Sequence, residues 1–193
     1  MGMKKLKISF NSPVVLGFAA VCFAALILNT FTGGMANMLF FSVYRASLKD
    51  PLTYVRIIGH VFGHADWSHF MGNIMLILIL GPLLEEKYGS SRIAAAIFVT
   101  AVVTGAANML FFPHTMLLGA SGVVFAFIML SSLASLREGT VPLTFILVAV
   151  IYIGGQIYSG ITVQDNISNI THIIGGFIGA AMGFAMGNKK ARR

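Results

Sequence analysis

Two side chains in this sequence have the chemistry of acyl transfer, and both lie in apolar surroundings. Ser121 sits in the turn Gly119-Ala120-Ser121-Gly122 at the head of one membrane-length apolar segment, and His172 lies just inside the outer end of another. Serine attacks a carbonyl only when a base within hydrogen-bond reach accepts its proton, and histidine is the usual base. A tetrahedral intermediate also needs donors aimed at its oxygen. His69 and Asn73 share one face of a helix by their spacing and offer two such donors. The amide of Ser121, near a helix N-terminus, offers a third. Gly119 and Gly122 let the backbone turn tightly and admit a substrate carbonyl with no Cβ in the way. Taken singly, each has a plain structural use: a serine in a membrane helix bonds its own backbone, and a buried histidine or asparagine joins two helices. What sets them apart is that all four fall in the first turn or two from one membrane face, so they share a depth and can converge. Polar groups in hydrocarbon are costly and point to function. The chemistry this set supports is hydrolysis within a membrane.

The elements that must position these residues follow from composition. With 57% apolar and 10% charged residues over 193 positions and a mean hydropathy of +0.87, the chain lies outside the range of soluble domains. Runs of mainly apolar residues long enough to cross about 30 Å of hydrocarbon at about 1.5 Å per residue fall near 13–31, 68–84, 93–112, 117–136, 141–158 and 168–187. Open sheet edges would leave backbone groups unsatisfied in lipid. The expectation is therefore an all-α fold, a bundle of six transmembrane helices forming a single domain over 1–193, with a long interfacial first loop.

The net charge of +7 invites a nucleic-acid reading, but its distribution argues against one. Lys4, Lys5 and Lys7 precede the first span, Lys87 and Arg92 lie between the second and third, and Arg137 lies between the fourth and fifth. Lys189, Lys190, Arg192 and Arg193 close the chain. With six spans all of these fall on one side, leaving Arg45, Lys49 and Arg56 on the other. That asymmetry places both termini in the cytoplasm of a cell (inner) membrane, and the basic tails read as topology signals before they read as lipid contacts. The first apolar stretch is longer than a signal-peptide core, and its loss would break the even span count, so it is expected to remain as a helix. Cys22 is the single cysteine, which excludes an intrachain disulfide and suits packing.

The connection from Thr32 to Trp67 is the one long loop. Its mixture of Met38, Leu39, Phe40, Phe41, Tyr44, Leu52 and Tyr54 with a few charges suits a segment lying in the membrane interface, anchored by Trp67. The fifth span begins at Pro142 and has a soft outer end, Gly154-Gly155-Gln156 through Ser159-Gly160, read either as a gate or as a loosely packed loop. The last span carries Gly175, Gly179, Gly183 and Gly187 in a stripe that lets a neighbouring helix approach closely, by bundle packing or by dimerisation. His172 lies near the same face. His60, His64 and His69 with Asp66 suggest a metal cluster, but no glutamate follows His60 as a zincin pair requires, and no metal is expected. Asp66 and Asp165 lie outside the spans, which favours a Ser-His dyad over a triad. The elbow motif of soluble hydrolases is absent, because Val123 follows Gly122. A transporter or channel would show internal repeats or charged pathway residues, and the chain has neither.

In combination these residues resemble the rhomboid family of intramembrane serine proteases over essentially the whole chain. Gly119-Ala120-Ser121-Gly122 is similar to the family's Gly-x-Ser-Gly nucleophile motif. The run from His172 through Gly175 to Gly179 resembles His-x-x-Gly-x-x-x-Gly. His69 to Asn73 resembles His-x-x-x-Asn, and Glu85 with Gly89-Ser90 resembles a cytoplasmic Glu-x-x-x-Gly-Ser turn. Arg56, His60 and His64 resemble the polar network of the first loop. The resemblance implies Ser121 as nucleophile, His172 as general base and then acid, and His69 with Asn73 as oxyanion donors. Gly119, Gly122, Gly175, His64 and Phe125 are implied in support, and no cofactor. It further implies a mobile fifth helix at the substrate entrance and transmembrane proteins as substrates, within the lipid bilayer. Phe125 departs from the pattern, standing where many members have a tyrosine beside the histidine. The resemblance is to the bare six-helix core, and the soluble cytoplasmic domain that some relatives carry is not expected here.

Overall fold

The computed structural model describes residues 9–134, 140–162 and 166–190, with backbone only at 152–153, 156–157, 159–162, 166–168 and 187–190. Lys4, Lys5, Lys7, Arg137, Asp165, Arg192 and Arg193 lie outside the described residues. The described chain is helical: α1 (Pro13–Phe31), α2 (Pro51–Gly59), α3 (Trp67–Tyr88), α4 (Ser90–Phe111), α5 (Ser121–Ser132), α6 (Leu143–Thr162) and α7 (Asn166–Lys190). A π-helical turn at Asn37–Phe41 and a 3-10 turn at His60–Phe62 shape the first loop. Four helices among the described residues are long and apolar enough to cross a membrane: α1, α3, α4 and the Asn169–Met186 portion of α7; α5 is a shorter apolar helix. The protein is integral to the membrane.

Pro13 opens α1, where its missing N–H is no loss. The amides of Val14 and Val15 that follow have no partner within their own helix. Both donate to the carboxylate of Glu85, each at 3.0 Å, and Ser90 Oγ donates to the same group at 2.7 Å. One carboxylate on α3 thus caps α1 and ties the start of α4, complementing the positive ends of both helices. Gly89, at φ +87°, is the single residue between α3 and α4. The expected loop there is therefore absent: Lys87 lies in the last turn of α3 and Arg92 in the first turn of α4, because a left-handed glycine reverses the chain in one step.

Two other boundaries differ from the hydropathy reading. The segment ahead of Ser121 is extended rather than helical. Val43 and Leu117 exchange both backbone hydrogen bonds, at 2.8 and 2.9 Å, and the Gly119 amide donates to the His60 carbonyl at 2.9 Å. These partners replace the helical ones the hydropathy had assumed. Helix α5 then has 12 residues, about 18 Å of length, and Ser121 is its first residue. Later in the chain, α6 runs as helix to Thr162, so the glycine-rich outer end is helical and not a loop.

The glycine stripe is resolved as packing within the bundle. A Cβ on Gly175 would strike the Gly122 carbonyl, one on Gly179 the Ala126 carbonyl, and one on Gly183 the Leu133 side chain at 2.7 Å. Helix α7 thus lies directly against α5. Small residues permit that approach where lipid provides no hydrophobic drive between helices.

Candidate active site

Ser121, His172, His69 and Asn73 arrive from three helices, and the packing just described sets their mutual placement. Gly175 is one turn beyond His172 on α7 and presses on the backbone of Gly122, the residue after Ser121. The ring of Phe125, one turn beyond Ser121 on α5, packs on the His172 ring with centroids 4.5 Å apart at 43°. The serine and the histidine therefore occupy the same end of one tight helix pair. Behind them, α4 supplies a wall: the methyl groups of Thr100 and Thr104 each lie 3.5 Å from the position of a Cβ on Gly122.

The third helix, α3, brings the donors. Its N-cap is Asp66, whose carboxylate accepts from the His69 amide at 2.8 Å. Asp66 is thus engaged at a helix end. The turn before Ser121 is where the donors meet α5. A Cβ on Gly119 would lie 2.8 Å from His69 Nε2 and 3.8 Å from Asn73 Nδ2. Gly119 also has φ +128°, a conformation L side chains avoid. Glycine is required here twice over, by backbone and by space. Asn73 is buried, and its Nδ2 has no hydrogen-bond partner among the described residues. A buried amide donor left unmatched is expensive, and this one faces the peptide that precedes the serine. The site can therefore offer N–H donors to an oxygen developing negative charge at that turn.

The first loop packs on α4 and is held together by its own polar contacts. Arg56 donates to the Leu39 carbonyl at 3.1 Å and to Asp50 at 3.0 Å, and its guanidinium lies 4.8 Å from the Tyr44 ring centre. Gly59 and Gly63 take the carbonyls of Phe40 and Phe41 so closely that a Cβ at either would strike them. Asn37, in the π-helical turn, donates to the His64 carbonyl at 2.9 Å. His60 is buried, with Nε2 3.2 Å from Thr104 Oγ1 and Nδ1 3.0 Å from the Ile57 carbonyl. Burial pushes its pKa down to about 4, partly offset by the Ile57 and Arg56 carbonyls. His64 is fully buried as well, and burial followed by the neighbouring His69 pushes it down to about 4, against the Phe62 carbonyl and Asp66. No group of three or more His, Cys, Asp or Glu side chains among the described residues is arranged to hold a metal.

A family model described as a rhomboid domain matches residues 51–189, which takes in all four candidate residues. The chain belongs to the rhomboid family. Mouse rhomboid-related protein 2 is 30% identical over 160 residues, covering 72% of this chain and 53% of that protein. Rhomboid protease GlpG of Yersinia pestis (strain Pestoides F) is 28% identical over 176 residues, covering 89% of this chain and 62% of its own length. The same protein of Yersinia pseudotuberculosis serotype O:3 (strain YPIII) matches to the same extent. The chain thus spans between about half and three fifths of the length of these relatives, and it is homologous to rhomboid proteases. Within this rhomboid chain, motif spacing identified the candidate residues from α3, α5 and α7. It missed the supports that come from elsewhere: Asn37, Val43, Thr100 and Thr104 are unremarkable polar or apolar residues until the chain folds. Only Thr100 and Thr104, on one face of an apolar run, left a periodic signal.

Proposed function

We propose that this protein is an intramembrane serine endopeptidase that cleaves peptide bonds in or near transmembrane helices of membrane proteins through a Ser121-His172 dyad. The observation that carries the reading is the packing of His172 on Phe125, one turn from Ser121, along a helix pair with no side chain at its closest contact. In this reading Ser121 Oγ attacks the substrate carbonyl while His172 accepts its proton. His69, Asn73 and the Ser121 amide donate to the oxyanion. His172 then returns the proton to the leaving amine, and water hydrolyses the acyl-enzyme by the same route in reverse.

The short α5 supports a site below the outer membrane surface, since its length falls well short of a span. The extended approach to Ser121 is tolerable at that depth because Val43 and His60 satisfy its backbone. We read α5 and α6 as the remaining two of six spans in one domain, with both termini cytoplasmic by the charge asymmetry of the sequence. Phe125 supplies the ring packing without a hydroxyl, so the histidine's placement rests on stacking and on α7 rather than on a phenol.

A reporter with one transmembrane helix, incubated in lipid with purified wild type, Ser121→Ala or His172→Ala, tests the proposal. Cleavage by wild type alone supports it. Cleavage by Ser121→Ala removes the serine from the mechanism, and inactivity of all three on a varied panel favours a rhomboid relative that binds helices without cutting them.

A further inference from the structure

The proposed chemistry uses His69 and Asn73 but leaves unexplained a third polar group beside them. His64 is fully buried, and its Nε2 has no hydrogen-bond partner among the described residues. Its ring meets His69 edge-on, with centroids 5.1 Å apart, and meets Phe70 at 5.4 Å. The other ring nitrogen, Nδ1, lies 3.1 Å from the Phe62 carbonyl. A carbonyl can only accept, so Nδ1 carries the proton and Nε2 presents a lone pair. A pKa near 4 keeps this neutral form through the pH range in which a histidine base works. The backbone that carries the ring is held on both sides, since the Asn37 side chain donates to the His64 carbonyl and Gly63, the residue before it, lies against the Phe41 carbonyl. An acceptor so fixed, next to the proposed oxyanion donors, has the wrong polarity for an oxyanion and the right polarity for a water hydrogen.

Resting on the serine protease reading, we infer that His64 Nε2 is a positioning acceptor for the water that hydrolyses the acyl-enzyme. One hydrogen of that water is held by His64 while its oxygen forms the new bond to the acyl carbon. The other proton passes to His172, which delivers it to Ser121 Oγ as the ester bond breaks. The hydrogen held by His64 stays on the product carboxyl group, so His64 undergoes no net change. Acylation involves no water, so His64 acts on the second half of the cycle only.

The test separates the two halves. Wild type, His64→Phe, which keeps a ring but no acceptor, and His64→Gln, which restores an oxygen acceptor, are compared in lipid for three quantities. These are the rate of Ser121 labelling by a fluorophosphonate, steady-state turnover of a transmembrane reporter, and the share of acyl product captured by added hydroxylamine. The inference expects unchanged labelling in all three proteins and turnover about tenfold lower in His64→Phe, as for loss of one hydrogen bond to a reacting group. Hydroxylamine should capture more of the acyl group in that variant and restore its turnover, and His64→Gln should recover at least part of the hydrolysis. If labelling and turnover fall together in His64→Phe, or if its hydroxylamine partition equals that of wild type, His64 does not position the water. Failure of wild type to label at Ser121 would instead overturn the protease reading itself.

Discussion

Gly175→Ala adds one methyl group at the closest contact between α5 and α7. The new Cβ would fall against the Gly122 carbonyl oxygen, 2.9 Å from its carbonyl carbon and 3.0 Å from its Cα. Carbon atoms settle at about 3.5–4.0 Å, and backbone at the start of a helix has no rotamer through which to yield. The two helices must separate by roughly 0.5–1 Å. Overpacking of this kind costs about 1–3 kcal/mol, which for a chain of this size lowers the melting temperature by about 2–4 °C per kcal/mol. The kinetic effect is larger, because the contact joins the turn after His172 to the residue after Ser121, and a displacement of about 1 Å between reacting groups costs on the order of 100-fold. Reporter cleavage by Gly175→Ala in lipid, normalised to folded protein, should fall about 10- to 100-fold. Gly179→Ala provides the comparison, since its Cβ would lie 2.7 Å from the Ala126 Cα. It should lose similar stability but less activity, being a turn further from His172. Gly154→Ala, with nothing within 4 Å, should lose neither. Wild-type melting and wild-type cleavage in Gly175→Ala would refute the close approach of α5 and α7. A lower melting temperature with full activity per folded molecule would show that the stripe only packs the bundle.

Three further outcomes can be checked. Glu85→Ala leaves the Val14 and Val15 amides and the Ser90 hydroxyl without their common acceptor and should lower the melting temperature by several degrees, at about 1 kcal/mol or more for lost caps; an unchanged melting curve would mean water serves equally well there. Acid should destabilise the fold through His60 and His64. Their folded values near 4 lie below the ordinary 6.5, so between these limits the unfolded chain binds protons that the folded chain refuses. Stability is complete above about pH 6.5 and is lost as pH falls toward 4, by about 3 kcal/mol for buried His60 alone. Thermal unfolding in detergent from pH 7.5 to 4 reads this directly, and a flat profile would contradict the burial of both rings. Finally, glycine or proline placed near the cut in a substrate helix should speed cleavage, since helical carbonyls are already hydrogen-bonded and must be released first; faster cleavage of a leucine-stiffened substrate would count against local unwinding.

Much of this molecule was legible in the sequence, for particular reasons. Hydrocarbon imposes a minimum run of apolar residues, so α1, α3, α4 and α7 announced themselves by length and composition. Ser121, His172, His69 and Asn73 stood out because polar groups are costly in that setting. Gly175 and Gly179 marked a close helix contact by their spacing. What hydropathy read wrongly were the ends of segments. Leu117 to Gly119 are apolar or small and count toward a span, yet they run extended, because their backbone partners, Val43 and the His60 carbonyl, are remote in sequence. The residues from Glu85 to Arg92 looked like a loop, but one left-handed glycine sufficed to turn the chain.

By itself, then, the sequence determined that the chain crosses a membrane as helices and which side chains there are fit for acyl transfer, since both are properties of local composition and spacing. The tertiary structure alone decided which helix faces which. That α7 lies on α5, that Gly119 opens space before His69 and Asn73, that Glu85 caps a helix 70 residues away, and that His64 is left with an unmatched lone pair all depend on contacts between distant segments. The glycine spacing announced a close neighbour for α7 without saying which helix it is, and the other contacts carry no periodic signal. They are set by which small residues let backbones meet and by which buried polar atoms find partners when the bundle closes.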